Sequence, residues 1–141
     1  MSPSTLGEAL AEFRKANGIP ADADTAPFWT VRIAGVAVRL RNRPWRQKAV
    51  LAHDLHHVLT GYPCTLTGEF QMAAWEAASG GFPSWGARCM CTPLILAGLI
   101  LAPRRIIAAF QLGRRTRNLH GQMIDETFLA MPLKSFAAPI R

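Results

Sequence analysis

Acidic residues are scarce in this sequence, and their distribution is more informative than their number. Nine Asp and Glu stand against sixteen Lys and Arg in 141 residues, for a formal net charge of +7. Two long stretches hold no acid at all: Thr25 to His53, with five arginines and a lysine, and Ala77 to Ile124, with six arginines. Such faces attract anionic lipid headgroups, at about 1 kcal/mol per basic residue near the surface, and they also attract nucleic acid. No helix-turn-helix, zinc finger or basic stretch interleaved with aromatics is present, so nucleic acid is not the expected partner. Cysteine is also sparse. Three is an odd number, which argues against a closed disulfide framework and for a reducing compartment. Cys89 and Cys91 form a Cys-x-Cys without a second pair, and read as small thiols rather than a structural zinc site.

Long apolar runs are missing too. Leu94 to Ala102 is only nine residues before Pro103-Arg104-Arg105, where about 20 are needed to span a bilayer. The N-terminus lacks a basic region followed by an apolar run, so no signal peptide is expected. The expected location is cytoplasmic and peripheral to a membrane, with Arg104 and Arg105 at headgroup level. Half of the residues are hydrophobic, enough for residues 1–141 to bury one compact core, and pairing with a second copy fits that composition.

The pattern predicts a mainly α fold, a multi-helix domain with a short N-terminal β-hairpin. Thr5-x-x-Glu8 reads as a capping box ahead of Leu6, Leu10 and Phe13, with Asn17-Gly18 as a stop. Trp29 to Ile33 and Val36 to Leu40 read as two strands around Ala34-Gly35. A helix is expected from Pro44 to Leu59, and a second from near Glu69 to Gly80-Gly81. A third opens at Thr92-Pro93, breaks or kinks at Pro103 and continues to about His120. A last short helix starts at Asp125.

Against this apolar and basic background, His53-Asp54-Leu55-His56-His57 stands out, followed after eleven intervening residues by Glu69. At about 100° per residue, His53, Asp54 and His57 fall within an arc of about 100° on one helix face. Thr60-Gly61-Tyr62-Pro63 reads as a stop and turn, which lets Glu69 close the site from a second helix. The expected ligands are therefore His53, Asp54, His57 and Glu69, with Glu69 and Asp54 as catalytic candidates. Mixed nitrogen and oxygen donors suit a divalent metal, zinc first, with magnesium, manganese or iron also compatible. His56 is the spare imidazole, a supporting donor or exposed. A zinc protease wants His-Glu-x-x-His, and Asp54 is one methylene too short for that general base. A His-Asp phosphohydrolase needs a further upstream His, and none precedes His53.

The signature His-Asp-x-x-His, eleven residues, Glu resembles that of the coenzyme Q biosynthesis protein 4 family, carried here as His53, Asp54, His57 and Glu69. The flanks are similar as well: Asp54-Leu55-His56-His57-Val58-Leu59-Thr60-Gly61-Tyr62, then Gly68-Glu69. Phe110-Gln111-Leu112-Gly113-Arg114-Arg115 looks like the family's aromatic-x-x-Gly-plus-basic helix, and Pro132-Leu133 echoes its closing segment. The resemblance covers about residues 45 to 135. It implies metal-dependent oxidative loss of the ring carboxylate from a polyprenylated hydroxybenzoate, and organisation of the enzymes of the quinone pathway. An arginine among Arg39, Arg41, Arg43 and Arg46 would clamp the carboxylate, and a prenyl tail would lie near Leu94 to Leu101. The alternatives are a membrane-peripheral scaffold without catalysis and a metal-dependent hydrolase of another substrate.

Overall fold

A computed structural model describes residues 3–33 and 35–136. The chain runs α1 (Leu6–Ala16), β1 (Phe28–Ile33), β2 (Val36–Arg41), α2 (Pro44–Thr60), α3 (Leu66–Ala78), α4 (Trp85–Leu101), α5 (Pro103–Gly113) and α6 (Glu126–Leu129), and a 3-10 turn follows at Leu133–Phe136. The expected mainly α architecture with one N-terminal hairpin is what forms. Both halves of the capping box on α1 are present. Proline at the first position of α2 costs no hydrogen bond, because that N–H has no partner inside a helix. Gly61, at φ 73°, ends α2 in the left-handed conformation that glycine adopts without penalty.

Three helix boundaries differ from the sequence pattern. Helix α3 starts at Leu66, because the Thr65 hydroxyl accepts from Gly68 N–H and caps it, so Glu69 is its fourth residue rather than its first. Helix α4 begins at Trp85 on a Ser84 cap, and Pro93 lies within it. Helix α5 stops at Gly113, where the chain turns back over α3 instead of continuing to His120.

Helices α4 and α5 pack against α3, and α2 packs against α1 and α4. Phe70, Met72, Ala74, Trp75, Ile106 and Ala109 form one buried cluster. Leu6, Leu10, Leu55 and Phe136 form a second, between α1, α2 and the C-terminal turns. Glycines set how closely the helices approach. A Cβ on Gly98 would lie 2.8 Å from both Phe70 Cβ and Ile106 Cδ1, and one on Gly113 would lie 2.6 Å from the Trp75 carbonyl oxygen. The hairpin packs little of its surface, but Arg46 of α2 stacks over the Trp29 ring at 3.8 Å and ties it down. Among the described residues no helix is long and apolar enough to cross a membrane.

Candidate metal centre

His53 and His57 are one turn apart on α2, and Glu69 meets them from the first turn of α3. Helix α3 can begin this close because residue 68 is glycine; a Cβ there would overlap the Pro63 carbonyl oxygen. The three side chains converge tightly. His53 Nε2 is 3.1 Å from His57 Nε2, Glu69 Oε2 is 3.2 Å from His53 Nε2, and Glu69 Oε1 is 3.3 Å from His57 Nε2. Ligands about 2.0–2.1 Å from a tetrahedral zinc sit about 3.3 Å from one another, so this triangle has the size that a metal requires.

The hydrogen bonds behind the triangle matter as much. His57 donates from Nδ1 to the Tyr62 carbonyl at 2.7 Å. His53 donates from Nδ1 to Glu76 Oε1 at 3.1 Å. Both rings therefore present Nε2 to the centre, the arrangement by which metal-binding histidines are oriented. His57 Nε2 and Glu69 Oε1, 3.3 Å apart, favour a positive charge between or beside them, which a proton or a divalent metal supplies. The donor set fits a divalent metal. Phe13 of α1 stacks on His57 with ring centroids 5.4 Å apart and covers its outer face.

Electrostatics agree with that need for positive charge. Burial acts to lower the His53 pKa, but Glu76 and Glu69 outweigh it and raise it to about 10. Glu69 is raised by burial, yet its bonds and proximity to His53 and His57 dominate and bring it down to about 2.

Asp54 does not join this group. Its carboxylate turns towards α1, where Oδ2 accepts from Arg14 Nε at 2.9 Å, and it is buried there. Arg14 also donates to Asp24 Oδ1 at 2.7 Å and to the Ala21 carbonyl at 2.8 Å. Asp54, expected as ligand and catalyst, here lies in a buried ion pair that ties α1 and the following loop to α2. A shared helical stripe made the residue eligible, but a buried guanidinium nearby was a stronger partner. Burial raises the Asp54 pKa, and Arg14 opposes that rise.

Glu76, which sequence reasoning passed over, is the central acceptor. Oε1 takes hydrogen bonds from His53 Nδ1 and, at 2.6 Å, from His56 Nδ1. Burial pushes its carboxyl pKa up, but the surrounding histidines hold it well below the usual range. Its signal was available: Glu76 is seven residues after Glu69 and so on the same face of α3. His56 is fully buried, donating to Glu76 and accepting from Leu119 N–H at 2.8 Å. Burial, the largest influence, pushes its pKa down to about 4 despite Glu76. The spare imidazole is therefore a support, not an exposed group.

Beside the triangle lies a cavity of about 160 Å³. His53, Glu69, Glu76 and His120 face it, with Trp45, Val50, Phe82, Met90 and Leu94 among its apolar walls. Of the four candidate arginines, Arg46 lines this cavity. Arg39 stacks over Phe28 at 4.3 Å, and exposed Arg41 and Arg43 line a neighbouring groove. Cys89 and Cys91 point to different surfaces of α4, Cys91 into the cavity and Cys89 towards a surface groove, and neither joins a metal-binding group among the described residues.

Comparison with known proteins gives two matches. The mitochondrial ubiquinone biosynthesis protein COQ4 of Eremothecium gossypii is 37% identical over 82 residues, covering 57% of this chain and 22% of the relative. The mitochondrial COQ4 of Yarrowia lipolytica is 42% identical over 43 residues, covering 30% of this chain and 16% of the relative. The matched stretches thus span about a fifth of the relatives' length. No family model matches the chain, and no solved structure matches it. The chain is thus similar to COQ4 proteins over part of its length, and its motif resembles theirs.

Proposed function

We propose that this protein acts in ubiquinone biosynthesis, binding a divalent metal, zinc first, through His53, His57 and Glu69 and modifying the ring of a polyprenylated hydroxybenzoate. The observation that carries the reading is the pairing of three converged donors, each histidine held through Nδ1, with an apolar cavity of about 160 Å³ at their side. An enclosed apolar space of about 150 Å³ accommodates benzene, so the cavity suits one aromatic ring, with a prenyl tail leaving along α4.

A bound metal would supply Lewis acidity towards the ring oxygens and carboxylate. The protein's own residues divide the remaining work. His53 and His57 hold their Nε2 atoms in place, Glu76 orients His53, and the Trp45, Phe82 and Leu94 walls exclude water around the ring. Arg46 is the cation available to a ring carboxylate. The reaction favoured by the COQ4 likeness is oxidative loss of that carboxylate: the ring–carboxylate bond breaks, CO2 leaves, a hydroxyl takes its place, and dioxygen as external two-electron oxidant leaves as hydrogen peroxide.

A membrane-peripheral position fits the outer face of α4 and α5. Trp85 is 77% exposed, Ile100 81% and Leu101 68%, and exposed Arg104 and Arg105 follow directly. A lipid surface would cover the apolar side chains while the arginines meet phosphates. The same face would serve a scaffold that gathers pathway enzymes.

Elemental analysis of wild type beside His57→Ala, with mass spectrometry of each organic extract, tests the enzyme reading. One metal per chain, lost in the variant, and a bound prenylated aromatic are expected. Absence of metal from both samples would remove the catalytic reading and leave the scaffold.

A further inference from the structure

His120, seven residues beyond the end of α5, is a buried imidazole that keeps one ionic contact, to Glu76, and makes no well-formed hydrogen bond. Only 6% of its side chain is exposed, and among the described residues neither ring nitrogen has a hydrogen-bond partner. Nε2 lies 3.2 Å from Glu76 Oε1 but out of line for a hydrogen bond. That oxygen already accepts from His53 and His56, which occupies both of its lone pairs.

The ring is held without using its own nitrogens. Asn118 donates to the Glu76 and Gly81 carbonyls at 3.1 and 2.9 Å, and Leu119 N–H donates to His56 Nε2. The His120 ring packs edge-on against His56, with centroids 4.9 Å apart, and tilts against Phe82 at 6.4 Å. Its neighbours fix it at the wall of the same cavity that His53, Glu69 and Glu76 line. A polar side chain buried, positioned and left unpaired is unfavourable unless another group comes to meet it.

We infer that His120 is a substrate-facing residue of this cavity, forming a hydrogen bond with an oxygen substituent of the bound aromatic ring. The inference rests on the reading of the cavity as a ring site, and it assigns the polar selectivity of that site. A hydroxybenzoate carries two oxygen-bearing substituents, so the carboxylate can address the His53–His57–Glu69 triangle and Arg46 while the hydroxyl meets His120. A ring with methyl in place of hydroxyl fills the same volume but leaves His120 unpaired.

Calorimetric titration of the full chain as purified with 4-hydroxybenzoate and 4-methylbenzoate tests this. Wild type is expected to bind the hydroxyl compound about tenfold more tightly. His120→Phe should reduce that preference to about twofold or less, with 4-methylbenzoate affinity and metal content unchanged. In ¹⁵N-histidine-labelled wild type, the His120 ring nitrogens should shift with 4-hydroxybenzoate and not with 4-methylbenzoate. If His120→Phe does not fold, His120→Gln and the wild-type spectra decide the question. Equal affinity of wild type for both probes, or ring nitrogens that do not move, overturns the role of His120 and leaves the aromatic reading standing. Failure of wild type to bind either probe overturns the aromatic reading itself, and this inference with it.

Discussion

Two histidine–glutamate clusters share helix α2, and they have opposite characters. His53 and Glu69 line the cavity and are partly exposed, and with buried His57 they aim three donors at one point. His56, Glu76 and His120 lie one step around the helix, almost wholly buried, and His56 has both nitrogens used. Both sets can be grouped as metal donors by distance. What separates them is where the second nitrogen of each ring goes. In the first cluster Nδ1 is tied and Nε2 is left to converge; in the second, His56 spends both nitrogens on protein groups. Proximity of imidazoles does not make a metal site. Convergence of unspent lone pairs does.

Glu76 joins the two clusters, so its removal should break the comparison most severely. Glu76→Ala leaves the buried His56 donor and the partly exposed His53 donor without an acceptor, and is expected to cost about 3–5 kcal/mol by urea denaturation. A cost below about 1 kcal/mol would mean that the buried cluster is not a support. The next effect separates ligation from support. His57→Ala should lose metal, while His56→Ala should destabilise the fold by about 2–4 kcal/mol and keep metal in its folded fraction. Elemental analysis and denaturation of both variants read the two outcomes, and loss of metal from both alike would erase the distinction.

Asp54 sharpens the boundary of the open cluster. Asp54→Asn should weaken the buried pair with Arg14 by about 2–3 kcal/mol while leaving metal content at one equivalent. Loss of metal without loss of stability would restore Asp54 as a ligand. Glu69→Gln tests the opposite combination, loss of metal with a change in metal-free stability under about 1 kcal/mol, because the side chain is partly exposed.

The smallest effect is a pH dependence in chelator. His56 has a folded pKa of about 4, below its ordinary 6.5, so its contribution is present above pH 6.5 and lost as pH falls towards 4. His53 has a folded pKa of about 10, above 6.5, so its contribution is full below pH 6.5 and lost as pH rises through 10. Glu69, at about 2, loses its contribution as pH falls from 4.5 to 2. Thermal stability of the metal-free protein should therefore peak near pH 6.5. His56→Gln should shrink the acid limb, and added zinc should flatten the alkaline limb by replacing the His53 proton. A flat profile over that range would contradict the assigned charge states.

Much of this was legible in the chain. The capping box, the Gly61 stop and the hairpin are local, set by side chains within a few residues, and they formed as read. His53, His57 and Glu69 were legible because an i, i+4 pair and a turn of fixed length leave little freedom. The starts of α3 and α4 were missed because Thr65 and Ser84 caps compete with the more visible Glu69 and Pro93. Glu76, His56 and Arg46 were harder, since nothing within a few residues says which face of a helix will be sealed.

By itself the sequence determined the helical class, the basic faces and a stripe of candidate metal ligands, because backbone periodicity and the chemistry of His and Glu act over short distances. Only the tertiary structure decided that Asp54 would turn to Arg14, that Glu76 would hold His53 and His56, and that His120 would face a cavity unpaired. Those outcomes depend on which charges and lone pairs meet when distant segments pack, and burial there makes each pairing or its absence matter far more than it would in water.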